Sequence, residues 1–124
     1  MKYLLDNGYT TLFFSDLKKL HDSGAGLPGK AVLITFDDGY ENNCLHAWPI
    51  LRELGLKANI FVVFNTMGKV NLWHDPASEA WVNMATLGQL KEMQDSGVIE
   101  YGSHTMSHPH LSALKPEDAA WEIA

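Results

Sequence analysis

The sequence is poor in cysteine and in basic residues, and each shortage excludes a class of protein. Cys44 is the only cysteine among 124 residues, so neither an internal disulfide nor a thiolate metal cluster can form. Nine lysines and arginines stand against fifteen aspartates and glutamates, with no basic run that could neutralise a row of phosphates. No apolar stretch is long enough to span a membrane or, before Gly8, to act as a secretory signal. Nucleic acid is therefore not expected as a partner, and no membrane span is expected.

The composition is that of a globular protein with a hydrophobic core. Hydrophobic residues make up 46% of the sequence and charged residues 19%. The length suits one domain, although a closed α/β barrel generally needs about 200 residues or more. We therefore expect one compact unit.

The apolar residues predict helices and strands in alternation, which is typical of a parallel sheet. Three times a helical pattern ends at a glycine and a strand-like run follows. The predicted strands are residues 9–14, 31–36, 58–64 and 98–101. The predicted helices are residues 16–21 capped by Ser15, a helix from Pro49 to Leu54, a helix after the capping box of Thr86 and Gln89, and residues 116–123. Residues 31–36 are apolar without alternation, which predicts a strand covered on both faces at the centre of the sheet.

Two carboxylates follow this predicted central strand at once. Asp37 and Asp38 stand where the C-terminal ends of parallel strands present ligand sites. Adjacent carboxylates in a partly buried turn repel each other unless a cation or hydrogen-bond donors compensate. A metal ion is one such partner, and an ordinary acidic turn closed by Gly39 is the alternative.

Two histidines follow the predicted strand of residues 98–101. His104 and His108 are four residues apart, a spacing that brings two imidazoles to one side of a helical turn, where they can share an ion. Thr105 stands where a zinc-protease motif would have glutamate, so that motif is absent. Surface histidines in a polar loop are the alternative. Because both clusters end strands of one predicted parallel sheet, we expect them on the same rim.

Together the two clusters supply one aspartate and two histidines, a ligand set that leaves positions open for water and substrate. The same set serves oxygen-activating iron enzymes, which normally have antiparallel double-stranded barrels. The alternation of strands and helices makes an iron oxygenase the minor hypothesis.

The two motifs resemble those of the polysaccharide deacetylases of the NodB-homology type, also called carbohydrate esterase family 4. The first is Thr-Phe-Asp-Asp-Gly-Tyr over residues 35–40, and the second is His-Thr-Met-Ser-His over residues 104–108. Residues 49–51 and 60–62 are also similar to the family, so the resemblance covers nearly the whole chain. It implies an α/β fold, a partial irregular (β/α) barrel of the NodB-homology type in which parallel strands alternate with helices.

The resemblance implies a role for each site residue. Asp38, His104 and His108 would hold a divalent metal ion, with zinc expected, and Asp37 would be the general base that takes a proton from the attacking water. The Thr105 hydroxyl would keep the loop of the second motif in shape by a hydrogen bond. The implied reaction is metal-dependent hydrolysis of N-acetyl groups from a polysaccharide containing N-acetylglucosamine, of the poly-N-acetylglucosamine, peptidoglycan or chitin type.

Three later motifs of the family have no counterpart in the sequence: an arginine that orients the catalytic aspartate, an aromatic wall and a general-acid histidine. We therefore expect residues 1–124 to be a single deacetylase domain that is incomplete at its C-terminal end and has little or no activity alone. Its open sheet edge is expected to be covered by the remainder of a parent chain or by a second copy. The other histidines are expected at surface or loop positions: His21, His46, His74 and His110.

The expected partner is an N-acetylated polysaccharide, and the parent protein is expected outside the cytoplasm or at the cell envelope. A non-catalytic remnant that binds metal or glycan without turnover is the second hypothesis. Tyr40, Trp73 and Trp81 could offer flat faces to a sugar ring, but core packing or loop anchoring is the expected use of each.

Overall fold

The computed structural model describes residues 1–123, in which short parallel strands alternate with helices. The strands are β1 (Thr10–Thr11), β2 (Ala31–Val32), β3 (Thr35–Phe36), β4 (Ala58–Val62) and β5 (Ile99–Ser103). The α-helices are α1 (Lys2–Asp6), α2 (Phe14–Asp22), α3 (Trp48–Leu54), α4 (Leu87–Asp95) and α5 (Pro116–Ile123). A π-helical segment, Asn43–Ala47, leads into α3, and single 3₁₀ turns occupy Phe64–Thr66 and Leu111–Ala113. The expected α/β class is confirmed.

The strands form two parallel sheets. β1 pairs with β2, and β4 lies between β3 and β5 in a sheet of three. The register sets Phe36 opposite Ile60 and Ser103 opposite Val62. Because parallel strands run in the same direction, the residues that follow β3 and β5 meet at one edge, beside the end of β4.

The run predicted as one central strand, residues 31–36, is divided between the two sheets. Its first part, β2, pairs with β1, and its last part, β3, pairs with β4. No residue of this run is fully buried, so the prediction of a strand covered on both faces is wrong for the described residues. The helices among residues 1–123 shield only part of its surface.

A buried asparagine joins the two sheets. Asn59 is 2% exposed, and its Oδ1 accepts a hydrogen bond from the backbone N–H of Phe14 at 3.1 Å. Its Nδ2 donates to the carbonyl oxygens of Leu12, at 3.3 Å, and Ile34, at 3.4 Å. The amide therefore satisfies backbone groups at the point where the ladder between the sheets is interrupted.

The start of α2 differs from its prediction. The helix begins at Phe14, so Ser15 lies inside it and the prediction of Ser15 as the capping residue is wrong. The backbone N–H of Phe13 donates to the side chain of Asp16 at 3.1 Å, and Ser15 instead donates from its N–H and hydroxyl to Glu100 of β5. A long-range partner on the sheet has displaced the local capping signal.

The ends of α3 and α4 confirm their predicted signals. Gly55 ends α3 with a φ of 63°, and Thr86 and Gln89 form the capping box of α4. Both helices pack on the face of the sheet that carries Ala58 and Ile60. The buried core there consists of Cys44, Trp48, Leu51, Leu56, Ala58, Ile60, Ala85, Leu90, Met93 and Ile99. Of the helices in residues 1–123, none combines the length and apolar character that crossing a bilayer requires.

The outer side of β5 is open. Within residues 1–123, this strand pairs with β4 alone. Large apolar side chains after β4 and in α5 are more than half exposed, namely Phe64, Trp121 and Ile123. That a parent chain or a second copy covers this side stays a prediction.

Candidate metal centre

Three side chains converge at the edge where β3, β4 and β5 end. Asp38 follows β3, and His104 and His108 follow β5. Asp38 Oδ1 lies 3.3 Å from Nε2 of each histidine, and one ligand atom from each residue lies within 4.8 Å of the others. The aspartate side chain is 18% exposed and each imidazole 34%. The structure thus brings together the three residues that were predicted as metal ligands.

The end of β4 holds two of these residues through its backbone. The N–H of Val63 donates to the carbonyl oxygen of Asp38 at 3.3 Å, and the N–H of His104 donates to the carbonyl oxygen of Val62 at 2.9 Å. The central strand therefore sets the separation of the aspartate and the first histidine.

Unfavourable backbone conformations are concentrated at this site. Four non-glycine residues in the described chain have positive φ angles, and three of them are Asp38 at 69°, Thr105 at 70° and His108 at 64°. A left-handed backbone costs about 1 kcal/mol or more for an L-residue, and it is least favourable for a β-branched side chain such as threonine. Strain of this kind persists where tertiary contacts hold it, which is typical of functional sites.

An irregular loop, not a helical turn, brings the two histidines together. Residues 104–110 form no helix, so the geometry predicted from their four-residue spacing is wrong although the pair does meet. The imidazole centroids are 5.0 Å apart. Thr105 Oγ1 accepts a hydrogen bond from the N–H of His108 at 2.9 Å, the role that the resemblance implied for this hydroxyl.

The site fits a divalent metal ion. Asp38 Oδ1 is buried, and it accepts no hydrogen bond from any residue in the described part of the chain. Such an orphaned carboxylate oxygen is unfavourable unless a cation compensates it. Atoms bound to zinc at about 2.0–2.2 Å in a tetrahedral arrangement lie about 3.3 Å apart. That value matches the 3.3 Å from Oδ1 to each imidazole nitrogen.

Asp37 has different surroundings from its neighbour. Its side chain is exposed, and it is not a member of the group that could hold an ion. Its carbonyl oxygen accepts a hydrogen bond from the N–H of Gly39 at 2.9 Å, which closes the turn after β3. The two aspartates are therefore suited to different tasks, one facing the histidines and one open to solvent.

Comparison with known proteins identifies the family. The profile of the polysaccharide deacetylases matches residues 24–124. The chain belongs to the polysaccharide deacetylase family. The resemblance drawn from the two motifs is thereby confirmed.

Three relatives of the chain are longer than it is. The Bacillus subtilis (strain 168) protein YxkH is 37% identical over 124 residues, which are 100% of this chain and 40% of that protein. The poly-beta-1,6-N-acetyl-D-glucosamine N-deacetylase of Escherichia coli (strain K12) is 30% identical over 122 residues, 90% of this chain and 17% of that enzyme. The Streptococcus pyogenes deacetylase PplD, solved in complex with acetate, aligns with a TM-score of 0.80 and 25% identity over 98% of this chain and 49% of its own. The chain therefore spans less than half the length of these relatives.

A tryptophan that was expected to serve in core packing or loop anchoring contacts a proposed metal ligand. The Trp73 ring lies 4.5 Å from the imidazole of His108, centroid to centroid, with 30° between the planes. The ring centroids of Tyr40 and Trp73 are 6.3 Å apart. Burial, together with the charge of Asp38, raises the pKa of the Tyr40 hydroxyl. The only signal in the sequence was the aromatic content of the long connection between residues 65 and 85.

The long connection is anchored mainly by its own residues. Trp81 donates from Nε1 to the carbonyl oxygen of His74 at 3.0 Å, and the His74 imidazole pairs with Glu79. Trp81 is thus a loop anchor, as expected. The other histidines outside the site are exposed, in agreement with their predicted surface positions: His21, His46 and His110.

Replacing Gly39 with alanine is expected to destabilise the chain by about 1–3 kcal/mol. Gly39 has a φ of 82°, and an added Cβ would lie 2.9 Å from Cγ1 of Val62. The loss would combine the cost of a left-handed backbone with the steric clash against Val62. Urea unfolding of Gly39→Ala and Gly55→Ala would separate these two contributions, because Gly55 has a φ of 63° with no atom within 4 Å of an added Cβ. Equal losses of stability in the two variants would contradict a steric role for Val62.

Proposed function

We propose that this chain is the metal-binding part of an enzyme that hydrolyses N-acetyl groups from a polysaccharide containing N-acetylglucosamine. The observation that carries the proposal is the meeting of Asp38, His104 and His108 around an unpaired carboxylate oxygen, in a chain of the polysaccharide deacetylase family. Zinc is the proposed ion, because carboxylate and imidazole ligands at this spacing suit its tetrahedral coordination.

The proposed substrate class follows from the names of the relatives. The E. coli relative is named for poly-β-1,6-N-acetyl-D-glucosamine, and we propose a polymer of this class, with peptidoglycan and chitin as alternatives. Such polymers belong to the cell envelope or the outside of the cell, so we place the parent protein there.

In the proposed mechanism Asp38, His104 and His108 hold the ion. A divalent ion bound there would polarise the acetamide carbonyl and increase the acidity of a water molecule. Asp37 accepts the proton of the attacking water. Its exposed carboxylate adjoins Asp38 in the sequence but does not belong to the group that could hold the ion. The water oxygen bonds to the carbonyl carbon, the carbon–nitrogen bond breaks as the nitrogen takes up a proton, and acetate and a free amine leave.

The decisive experiment is acetate release from poly-N-acetylglucosamine oligomers. It should be measured for this chain and for a longer protein that contains it and reaches the length of its relatives, each first stripped of metal and then supplied with zinc. We expect zinc-dependent release from the longer protein and little from this chain, which lacks the arginine and general-acid motifs. Oligomer binding without any release would favour the non-catalytic alternative, and oxygen consumption would favour the iron oxygenase.

A further inference from the structure

A buried glutamate in α5 contacts the loop that carries both histidines. Glu122 is 7% exposed, whereas the other acidic residues of this helix, Glu117 and Asp118, are exposed. Its carboxylate accepts two hydrogen bonds from Ser107, one from the backbone N–H at 2.8 Å and one from the hydroxyl at 2.5 Å. Its own carbonyl oxygen accepts a third from the N–H of Met106 at 3.1 Å.

These bonds support the strained part of the loop. Met106 and Ser107 lie between Thr105 and His108, the two left-handed residues of the loop. The N–H groups of Met106 and Ser107 are directed to Glu122, and the N–H of His108 to the Thr105 hydroxyl. Without the Glu122 side chain, the N–H and the hydroxyl of Ser107 would both lose their partner between the two left-handed residues, whereas Met106 would keep its bond to the backbone carbonyl.

The interaction is also suited to a rigid support. The hydroxyl of Ser107 lowers the pKa of the Glu122 carboxyl, which therefore remains an ionised acceptor at neutral pH. Hydrogen bonds to an ionised acceptor are roughly twice as strong as those between neutral groups. Both oxygens act on the same residue, which restricts the rotation of Ser107 relative to α5.

We propose that Glu122 is a positioning residue of the metal centre: it holds Ser107, and through Ser107 it sets the direction of His108. Glu122 itself is not a member of the group that could hold an ion. This inference rests on the proposed function for the identity of the site. Hydrogen-bond partners of the metal ligands themselves typically change metal affinity by about 10–100-fold when they are lost, and because Glu122 acts one residue further away we expect an effect at the lower end of that range.

The test compares zinc affinities of folded variants by competition with a chromophoric chelator. We expect Glu122→Ala to raise the zinc Kd by about 10-fold or more, and Ser107→Ala, which keeps its N–H, to raise it less. Glu122→Gln retains one carbonyl acceptor and should fall between wild type and Glu122→Ala. Glu117→Gln, a matched change at an exposed position of the same helix, should leave the Kd within about twofold of wild type.

A double-mutant cycle adds the coupling between the two side chains. Because the Ser107 hydroxyl acts only through Glu122, adding Ser107→Ala to Glu122→Ala should cause little further loss. If Glu122→Ala does not fold, Glu122→Gln and Ser107→Ala still decide. Zinc affinities within about twofold of wild type in both Glu122→Gln and Ser107→Ala would overturn the proposal.

Hydrogen exchange separates this proposal from the proposed function. If wild type itself binds no zinc, the proposed metal site fails, and the exchange rates of the Met106, Ser107 and His108 amides then decide the role of Glu122. Faster exchange confined to these amides in Glu122→Ala supports the positioning role. Exchange as slow as in wild type overturns it.

Discussion

His104→Ala is expected to lower the zinc affinity of this chain by about 10-fold or more. The variant removes one of two imidazoles that face Asp38 Oδ1, and it leaves that buried oxygen with a single nitrogen neighbour. Isothermal titration of the metal-free protein with zinc would measure both affinity and stoichiometry. Asp38→Asn should cause a loss of similar size, because the anionic ligand is replaced by a neutral amide.

His21→Ala is the matched control for this experiment. His21 is an exposed histidine in α2 and does not belong to the group that could hold an ion. Its zinc affinity should equal that of wild type. A His104→Ala variant with the stoichiometry and affinity of wild type would remove the proposed site.

Asp37→Asn is expected to lower the rate of acetate release by about 100-fold or more in an active protein that contains this chain, and to leave zinc binding intact. The reason is that a general base acts on the proton of water, whereas a ligand acts on the ion. Asp38→Asn should lose zinc and activity together. The rate of release and the zinc affinity, measured on the same preparations, would distinguish the two neighbours.

The control for the carboxylate change is Asp22→Asn at the exposed end of α2. Among the described residues, the only side-chain partner of Asp22 is Lys18, in a surface ion pair. Such pairs contribute little, so both rate and affinity should be unchanged. If Asp37→Asn released acetate as fast as this control, another residue would have to be the base.

Most of the site was predictable from local patterns. The glycine that ends α3 and the capping box of α4 have short-range causes, so their predictions are confirmed. The meeting of Asp38 with the two histidines follows from the parallel order of β3, β4 and β5, because their C-terminal ends share one edge. The prediction of a helical turn between His104 and His108 is wrong, because the spacing of two residues does not by itself distinguish a helix from a loop with left-handed residues.

The two wrong predictions about the fold have long-range causes. Ser15 has the right chemistry for a helix cap, but its hydroxyl is taken by Glu100, a residue 85 positions away. The run over residues 31–36 was expected to be covered on both faces, but the described helices leave it partly exposed. For Ser15, a contact with a distant residue outweighed its preference for a helix cap. For residues 31–36, too few distant residues pack on the strand to bury it.

The sequence by itself determined which side chains could bind a metal ion and which strands they follow, because residue type and strand order are local properties. Only the tertiary structure decided how those side chains are aimed. His108 takes its direction from a left-handed backbone, from the ring of Trp73 and from a loop whose Ser107 is bound by Glu122, 15 residues further along the chain. None of these contacts has a periodic pattern in the sequence, because each depends on where the folded chain returns to the end of β5.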